Sequence, residues 1–337
     1  MPARTIVEAG APLPASLRGA VVAIGNFDGI HRGHQQLLAE AQGEARRRGT
    51  HWGLVTFEPH PRSFFRPADP VFRLTPLPLK ARLVGALGAH FTAVLAFDAR
   101  LAAMTPEEFV RGELSERLGV SHVVTGYDFH FGHGRKGTPQ TMRELGSQLG
   151  FGVTVIDQVT DDDGFAPFSS SAIRDSLRHG HVSEAARQLG YWWTVEGEVV
   201  HGDRRGRSIG FPTLNIVLPD GSEPFQGIYA VRARDAAAHG ERHWRGAGYF
   251  GRRPTFASER TFLEVYLLGF TGELYGKTML VEFIDMIRPD RRFDTIDDLV
   301  AQMRRDCADA EKRLAAFEEN DPLAAFPIAR AQKAGTL

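Results

Sequence analysis

The strongest constraint on this chain is a change in hydrophobic pattern near residue 190. Up to about residue 180, short apolar runs alternate with helical stretches. AVVAIG (20–25), WGLVTF (52–57), FTAVLAF (91–97), VSHVVTG (120–126) and FGVTVID (151–157) read as strands buried on both faces. Between them, Thr105, Pro106 and Glu108 form a capped helix start that runs on to Gly119. A second helix runs from near Arg32 to Arg48 and stops at Gly49, and a third runs from near Pro139 to Gly150. Such alternation implies an α/β fold with a doubly wound parallel sheet. After a short helix, SEAARQLG, the pattern becomes strand after strand. TVEGEVVHG, FPTLNIVL, GIYAVRAR, RHWRGAGYF, TFLEVYLLGF and TMLVEFIDMI are separated by turns with no helix among them, which predicts a small antiparallel barrel or sandwich. A last helix is capped by Thr295 with Asp298 at its third position. Its stripe of Ile296, Leu299, Met303, Cys307, Ala310, Leu314 and Phe317 is expected to face the core. The expected division is a first domain over 1–182, a linker helix over 183–192, a second domain over 193–320 and a loose tail over 321–337.

Charge and cysteine content narrow the function. Forty Lys and Arg balance 41 Asp and Glu, so no basic surplus exists to hold nucleic acid or an anionic membrane surface. No apolar run approaches the roughly 18 residues that cross a bilayer. The N-terminal stretch, with Glu8 and its prolines, lacks the apolar core of a signal peptide. Cys307 is the only cysteine, so neither an internal disulfide nor a cysteine zinc site can form. The expectation is a cytoplasmic protein whose partners are small molecules, with no obligate protein partner.

The strand ends of the parallel sheet carry the first set of candidate residues. Gly25-Asn26-Phe27-Asp28-Gly29-Ile30-His31-Arg32-Gly33-His34 follows the first strand and opens a helix, without the Gly-Lys-Ser/Thr of a P-loop. His31 and His34 flank Gly33 at a helix N-terminus, where free N–H groups favour phosphate and imidazoles can donate hydrogen bonds to the oxygens of a pentacoordinate phosphorus. A zinc pair completed by His60 is the weaker alternative, since no clear further ligand accompanies the histidines. Pro59 and His60, with Phe64 and Phe65, follow the second strand; Asp128 follows the fourth. Ser169-Ser170-Ser171-Ala172-Ile173-Arg174 opens a later helix, where serines serve first as caps and, with the arginine, can cradle phosphate.

The second set lies in HGDRRGRSIGFPTLNI (201–216). Gly206, Arg207 and Gly210 belong to a glycine- and arginine-rich loop suited to lie over phosphates. In an extended chain Thr213 and Asn215 point to one face, offering hard neutral oxygens to Mg²⁺. Glu264 faces away from Leu263, Val265 and Leu267.

GNFDGIHRGH, FEPHPRSFF, GYDFHFGHGRKG and SSSAIR together resemble the nucleotidyltransferase module of prokaryotic bifunctional riboflavin kinase/FMN adenylyltransferases, also called FAD synthetases. HGDRRGRSIGFPTLNI, GRRPTF and LEVYLLGFTGELYG resemble the kinase module of the same family, in order and spacing. The resemblance spans roughly residues 20–318. It implies a Rossmann-like sheet followed by a six-stranded riboflavin-kinase-type barrel, with ATP as co-substrate and riboflavin, FMN and FAD as substrates and products. It implies that His31 and His34 contact the phosphates during adenylyl transfer. Ser170, Ser171 and Arg174 would hold ATP phosphates, and the Gly25–Gly29 loop, Gly33 and Asp128 would bind nucleotide. Pro59, His60, Phe64 and Phe65 would lie near the flavin. In the second module it implies Thr213 and Asn215 as Mg²⁺ ligands and Glu264 as the base that deprotonates the terminal ribityl hydroxyl. Ser171 replaces the usual Thr, and Gly248-Tyr249-Phe250 departs from the usual lead-in to its segment. Two other readings stay open from residues alone: a riboflavin kinase with a degenerate first module, and a flavin sensor without turnover. The intact His31, Gly33, His34, Ser170 and Arg174 speak against the first, and Glu264 against the second.

Overall fold

Runs of Val, Ile and Leu that bury both faces build the first sheet. The computed structural model describes residues 5–160, 166–202, 209–218, 221–238, 240–254 and 259–337. Its strands are β1 (Thr5–Val7), β2 (Val21–Ile24), β3 (Trp52–Glu58), β4 (Phe91–Ala96), β5 (His122–Gly126) and β6 (Gly152–Ile156). They lie in the order β1-β4-β3-β2-β5-β6, every pair parallel. β1 was not expected from the sequence: three residues at a sheet edge are too few to show a period. The core around Val22, Val55, Phe91, Val110, Leu114 and Met142 is fully enclosed.

Helices begin where the caps predict. α1 (Arg32–Arg48) starts at His31 and ends on Gly49 at φ 64. α2 (Pro61–Phe65), α3 (Leu77–Ala86) and α4 (Ala99–Ala103) follow. Thr105 and Glu108 form a complete capping box on α5 (Pro106–Glu108). The helix expected to continue evenly to Gly119 instead widens into a π-helix over Phe109–Arg117. Within that turn Glu113 is buried, and Arg117 (2.5 Å) and Arg100 (3.0 Å) neutralise it. α6 (Pro139–Leu149) ends on Gly150 as expected.

The second half is a closed antiparallel barrel. β7 (Thr194–Val200), β8 (Leu214–Val217), β9 (Gly227–Asp235), β10 (Trp244–Pro254), β11 (Glu259–Leu267) and β12 (Thr278–Pro289) close in the order β10-β11-β8-β7-β12-β9. Leu263 and Val265 point inside with Tyr229, Phe250 and Phe283. Before the barrel come α7 (Ser170–Arg178) and α8 (Val182–Leu189); after it come α9 (Ile296–Glu319) and α10 (Pro327–Lys333).

The expected stripe on α9 holds only in its C-terminal half, at Ala310, Leu314 and Phe317. Ile296 is 66 % exposed, while Gln302 and Asp306 are buried. A polar network explains the exchange: Asp306 accepts from Arg288 Nε (2.9 Å) and Nη2 (2.7 Å) and from Gln302 Nε2 (2.7 Å). A buried carboxylate so paired is satisfied, and the helix rotates to supply it.

The chain forms two compact units, Met1–Val71 with Lys80–Phe168, and Phe72–Leu79 with Ser169–Leu337. This boundary differs from the one expected near 182. The segment read as a linker is well packed in the second unit: Ala185, Ala186, Leu189 and Tyr191 are fully buried. Trp193 donates from Nε1 to the Leu74 carbonyl (3.2 Å) and meets Phe72 edge-on at 5.8 Å, which ties residues 72–79 to that unit. Nor are residues 321–337 loose. α10 buries Ile328, and the Gln332 amide accepts from Trp192 N (3.1 Å) and donates to Trp192 O (2.8 Å) and Thr194 Oγ1 (2.9 Å).

Candidate functional sites

In the first unit, the turn from β2 into α1 folds tightly because of its sequence. Phe27 (φ 46) and Ile30 (φ 42) adopt left-handed backbone that few non-glycine residues accept, and both side chains are buried. His31 caps α1, its Nδ1 accepting from His34 N at 3.3 Å. The His31 and His34 rings stack with centroids 3.6 Å apart, and Phe27 lies 4.8 Å from His34. A Cβ at Gly33 would stand 3.2 Å from His31 Nδ1 and 3.5 Å from Phe168, so a larger residue would crowd the histidine. Burial first, then the neighbouring His31 and Lys80, push the His34 pKa well below its ordinary value, so the ring is neutral at neutral pH. Its Nδ1 is buried without a hydrogen-bond partner among the described residues. Asn26 presents its carbonyl to Thr56 Oγ1 (3.2 Å) and Lys80 Nζ (2.7 Å), and Asp28 is buried in the same turn.

Next to this turn stands an aromatic wall. His60 caps α2, its Nδ1 accepting from Arg62 N at 3.2 Å. Pro59 is exposed. Phe64 and Phe65 meet edge-on at 5.2 Å, and each lies within 5.7 Å of Phe97. Phe57 continues the wall between Phe97 (6.0 Å) and Phe129 (6.5 Å). Phe65 stays 65 % exposed, an open edge for a flat ring. Phe97 was not singled out from sequence; it reads there as the last residue of a buried strand. Asp128, past the end of β5, is exposed, and its carbonyl contacts the His130 ring at 2.9 Å. Among the described residues, no three His, Cys, Asp or Glu side chains stand together as a metal site, and His60 is engaged as a cap.

The serine motif opens α7 in the second unit, whereas the histidines belong to the first. The cap is Ser169, whose Oγ accepts from Ala172 N at 3.1 Å, rather than Ser170 or Ser171. Ser171 is exposed at the helix start. Arg174 is oriented by Phe72, its Nε donating to that carbonyl at 2.7 Å.

In the barrel, strand register places Glu264 directly opposite Asn215 on β8 and opposite Tyr249 on β10. Directly opposed side chains of an antiparallel pair share a face, so the carboxylate and the amide are neighbours. A Cβ at Gly202 would fall on the Asn215 amide, so that position tolerates only glycine without displacing it. Thr213 lies one residue before β8, outside the paired register. Gly210 adopts φ 86; Gly206 and Arg207 lie outside the described residues. Two residues beyond Glu264 on the same face, Tyr266 lines a cavity of about 500 Å³ with Phe211, Trp244, Arg245, Leu268 and Cys307. Burial and the neighbouring Asp306 push the Cys307 thiol up to about 11. Its thiolate fraction at neutral pH is therefore roughly 100-fold below that of an ordinary thiol. Mass-spectrometric alkylation of this sole cysteine is expected to be slow by about that factor.

A parallel sheet with paired histidines at a helix start, and a barrel with a carboxylate beside an amide, give the chain two separate polar clusters, the arrangement of a two-site enzyme of the α/β and β-barrel class. Comparison with known proteins agrees. The FAD synthetase family model matches residues 13–172 and the riboflavin kinase family model residues 189–314. The bifunctional riboflavin kinase/FMN adenylyltransferase of Escherichia coli (strain K12) is 38 % identical over 292 residues, covering 87 % of this chain and 92 % of that one. The enzyme of the same name from Bacillus subtilis (strain 168) is 36 % identical over 297 residues, covering 86 % and 91 %. The chain belongs to the bifunctional riboflavin kinase/FMN adenylyltransferase family. It phosphorylates riboflavin to FMN and adenylylates FMN to FAD, with ATP and flavins as substrates. A crystal structure described as a macrolide-efflux protein from Streptococcus pneumoniae matches with a TM-score of 0.76 and 30 % identity, covering 89 % of this chain and 97 % of that one. Among the described residues no helix is long and apolar enough to cross a membrane.

Proposed function

We propose that the two reactions are divided between the two halves of the chain, adenylyl transfer with the first, over residues 1–182, and riboflavin phosphorylation with the second, over residues 193–320, the helical segment 183–192 packing with the barrel rather than standing free. The observation that carries this reading is the separate placement of the stacked His31–His34 pair at the end of β2 and the Glu264–Asn215 pair on the barrel. In adenylyl transfer, a phosphate oxygen of FMN attacks the α-phosphorus of ATP and pyrophosphate leaves. His31 and His34 donate to the α-phosphate oxygens that carry the developing charge, and the neutral state of His34 leaves it one N–H to give. The Gly25–Gly29 turn, Gly33 and Asp128 receive the nucleotide, and Ser170, Ser171 and Arg174, on the serine-capped start of α7, keep the phosphate-binding role that the family resemblance gives them. Pro59 and His60 border the flavin ring, which rests on Phe64 and Phe65.

In phosphorylation, Glu264 takes the proton of the terminal ribityl hydroxyl as that oxygen attacks the γ-phosphorus. Thr213 and Asn215 offer neutral oxygens of the kind Mg²⁺ accepts while keeping waters and phosphate ligands. The Asn215 amide sits beside Glu264, so the donor chemistry fits the ion. When bound, Mg²⁺ would offset charge on the phosphates. Gly206, Arg207 and Gly210 belong to the loop over those phosphates. We place the enzyme in the cytoplasm, working on small molecules without an obligate protein partner. Dependence on ATP and a lone unpaired cysteine support that placement.

Adding EDTA to the purified chain with riboflavin and ATP is expected to stop FMN formation, and excess Mg²⁺ to restore it. Undiminished FMN in EDTA would remove Thr213 and Asn215 from the role of metal ligands.

A further inference from the structure

The first unit contains a lysine that the described chemistry leaves unused. Lys80, on α3, is 1 % exposed. Taking an ammonium out of water is costly unless its donors are satisfied. Here Nζ donates to the carbonyl of Asn26 at 2.7 Å and to Thr56 Oγ1 at 3.0 Å, with the Glu58 carboxylate 3.8 Å away. Thr56, also buried, donates its own hydroxyl to the same Asn26 carbonyl at 3.2 Å. Two donors thus converge on one backbone oxygen.

That oxygen stands at the entry to the turn that delivers the histidines. Phe27, the next residue, has φ 46, and Ile30 has φ 42. Such backbone persists only where its surroundings over-determine it. At the far end, Gln35 Nε2 donates to the Ile30 carbonyl at 2.9 Å. The turn is clamped at both ends, and His31 follows the second clamp directly.

We propose that Lys80, acting with Thr56, is a positioning residue for adenylyl transfer: by holding the Asn26 carbonyl it fixes the turn that aims His31 and His34. The ammonium charge works in the same direction, being one of the influences, after burial and His31, that keep His34 neutral. This rests on the assignment of the histidine pair to adenylyl transfer.

The test uses the full chain. Lys80→Met keeps the length and the apolar stem but removes the donors. Misaiming a catalytic group is expected to lower kcat for FAD formation from supplied FMN by about 10–100-fold. KM for ATP should stay within about threefold, and FMN formation from riboflavin within about twofold. A raised KM with unchanged kcat would overturn the proposal, because it would make Lys80 a binding group. Unchanged FAD synthesis would overturn it too.

Should Lys80→Met lose both activities through misfolding, Thr56 decides. Thr56→Ser keeps the bridging hydroxyl and is expected to rescue the kcat that Thr56→Val loses; equal kcat in the two variants would refute the clamp. Failure of the underlying assignment looks different. His31→Ala would then spare FAD synthesis, whereas failure of the clamp alone leaves His31→Ala impaired and Lys80→Met normal.

Discussion

Glu264→Gln is expected to lower FMN formation by about 10²–10⁴-fold, the usual contribution of a positioned general base. That is roughly 2.7–5.4 kcal/mol of barrier. A primary alcohol is a poor nucleophile at neutral pH, and Gln keeps the shape and the hydrogen bond but cannot take the proton. The substitution sits on the outer face of β11, between the buried Leu263 and Val265, so the barrel core is untouched. Riboflavin binding should therefore persist, and FAD formation from supplied FMN should continue. A solvated strand carboxylate without a catalytic part would show almost no change in either step. Stopped assays with riboflavin and FMN supplied in separate reactions distinguish the two.

His31→Ala is expected to cost FAD formation about 2.7–4 kcal/mol of barrier, by analogy with the loss of one oxyanion donor. His31 has a second role that must be separated from this. Its Nδ1 caps α1, and loss of an N-cap costs about 1 kcal/mol of stability. His31→Asn restores a capping acceptor without an imidazole. Both variants should lose adenylylation alike, while only His31→Ala should melt measurably earlier. Recovery of rate in His31→Asn would assign the effect to the cap and remove His31 from the chemistry. FMN formation should be nearly unchanged in both.

Features written in local chemistry were readable from the sequence. The limits of α1, at His31 and Gly49, follow from capping and left-handed glycine, as does the capping box at Thr105 and Glu108. Six strand-like segments after residue 190 close into the barrel, and the alternation around Glu264 places it outside that barrel. What was not readable depends on partners distant in the chain. Gln302 and Asp306 look like a solvated face until Arg288, on another element, reaches Asp306, and Arg291, between the two elements, reaches Gln302. Lys80 carries no local signal of burial; its partners, Asn26 and Thr56, lie 54 and 24 residues away in the chain. The π-helical turn at Phe109–Arg117 answers to the burial of Glu113, which no local period announces. α10 reads as a tail because its seven residues are too few to show a stripe, and its anchors, the buried Ile328 and the Gln332 amide on Trp192, depend on elements far away in the chain.

The most direct test of two chemistries on one chain is a crossed, product-resolved assay. Glu264→Gln and His31→Asn are each given riboflavin with ATP and Mg²⁺, then FMN with ATP and Mg²⁺, and FMN and FAD are separated by chromatography over time. The expected result is reciprocal: His31→Asn accumulates FMN from riboflavin and makes little FAD from either flavin. Glu264→Gln makes little FMN but converts supplied FMN to FAD at the wild-type rate. Loss of both activities in one variant, FMN from riboflavin and FAD from supplied FMN, would contradict separate sites and indicate one shared centre.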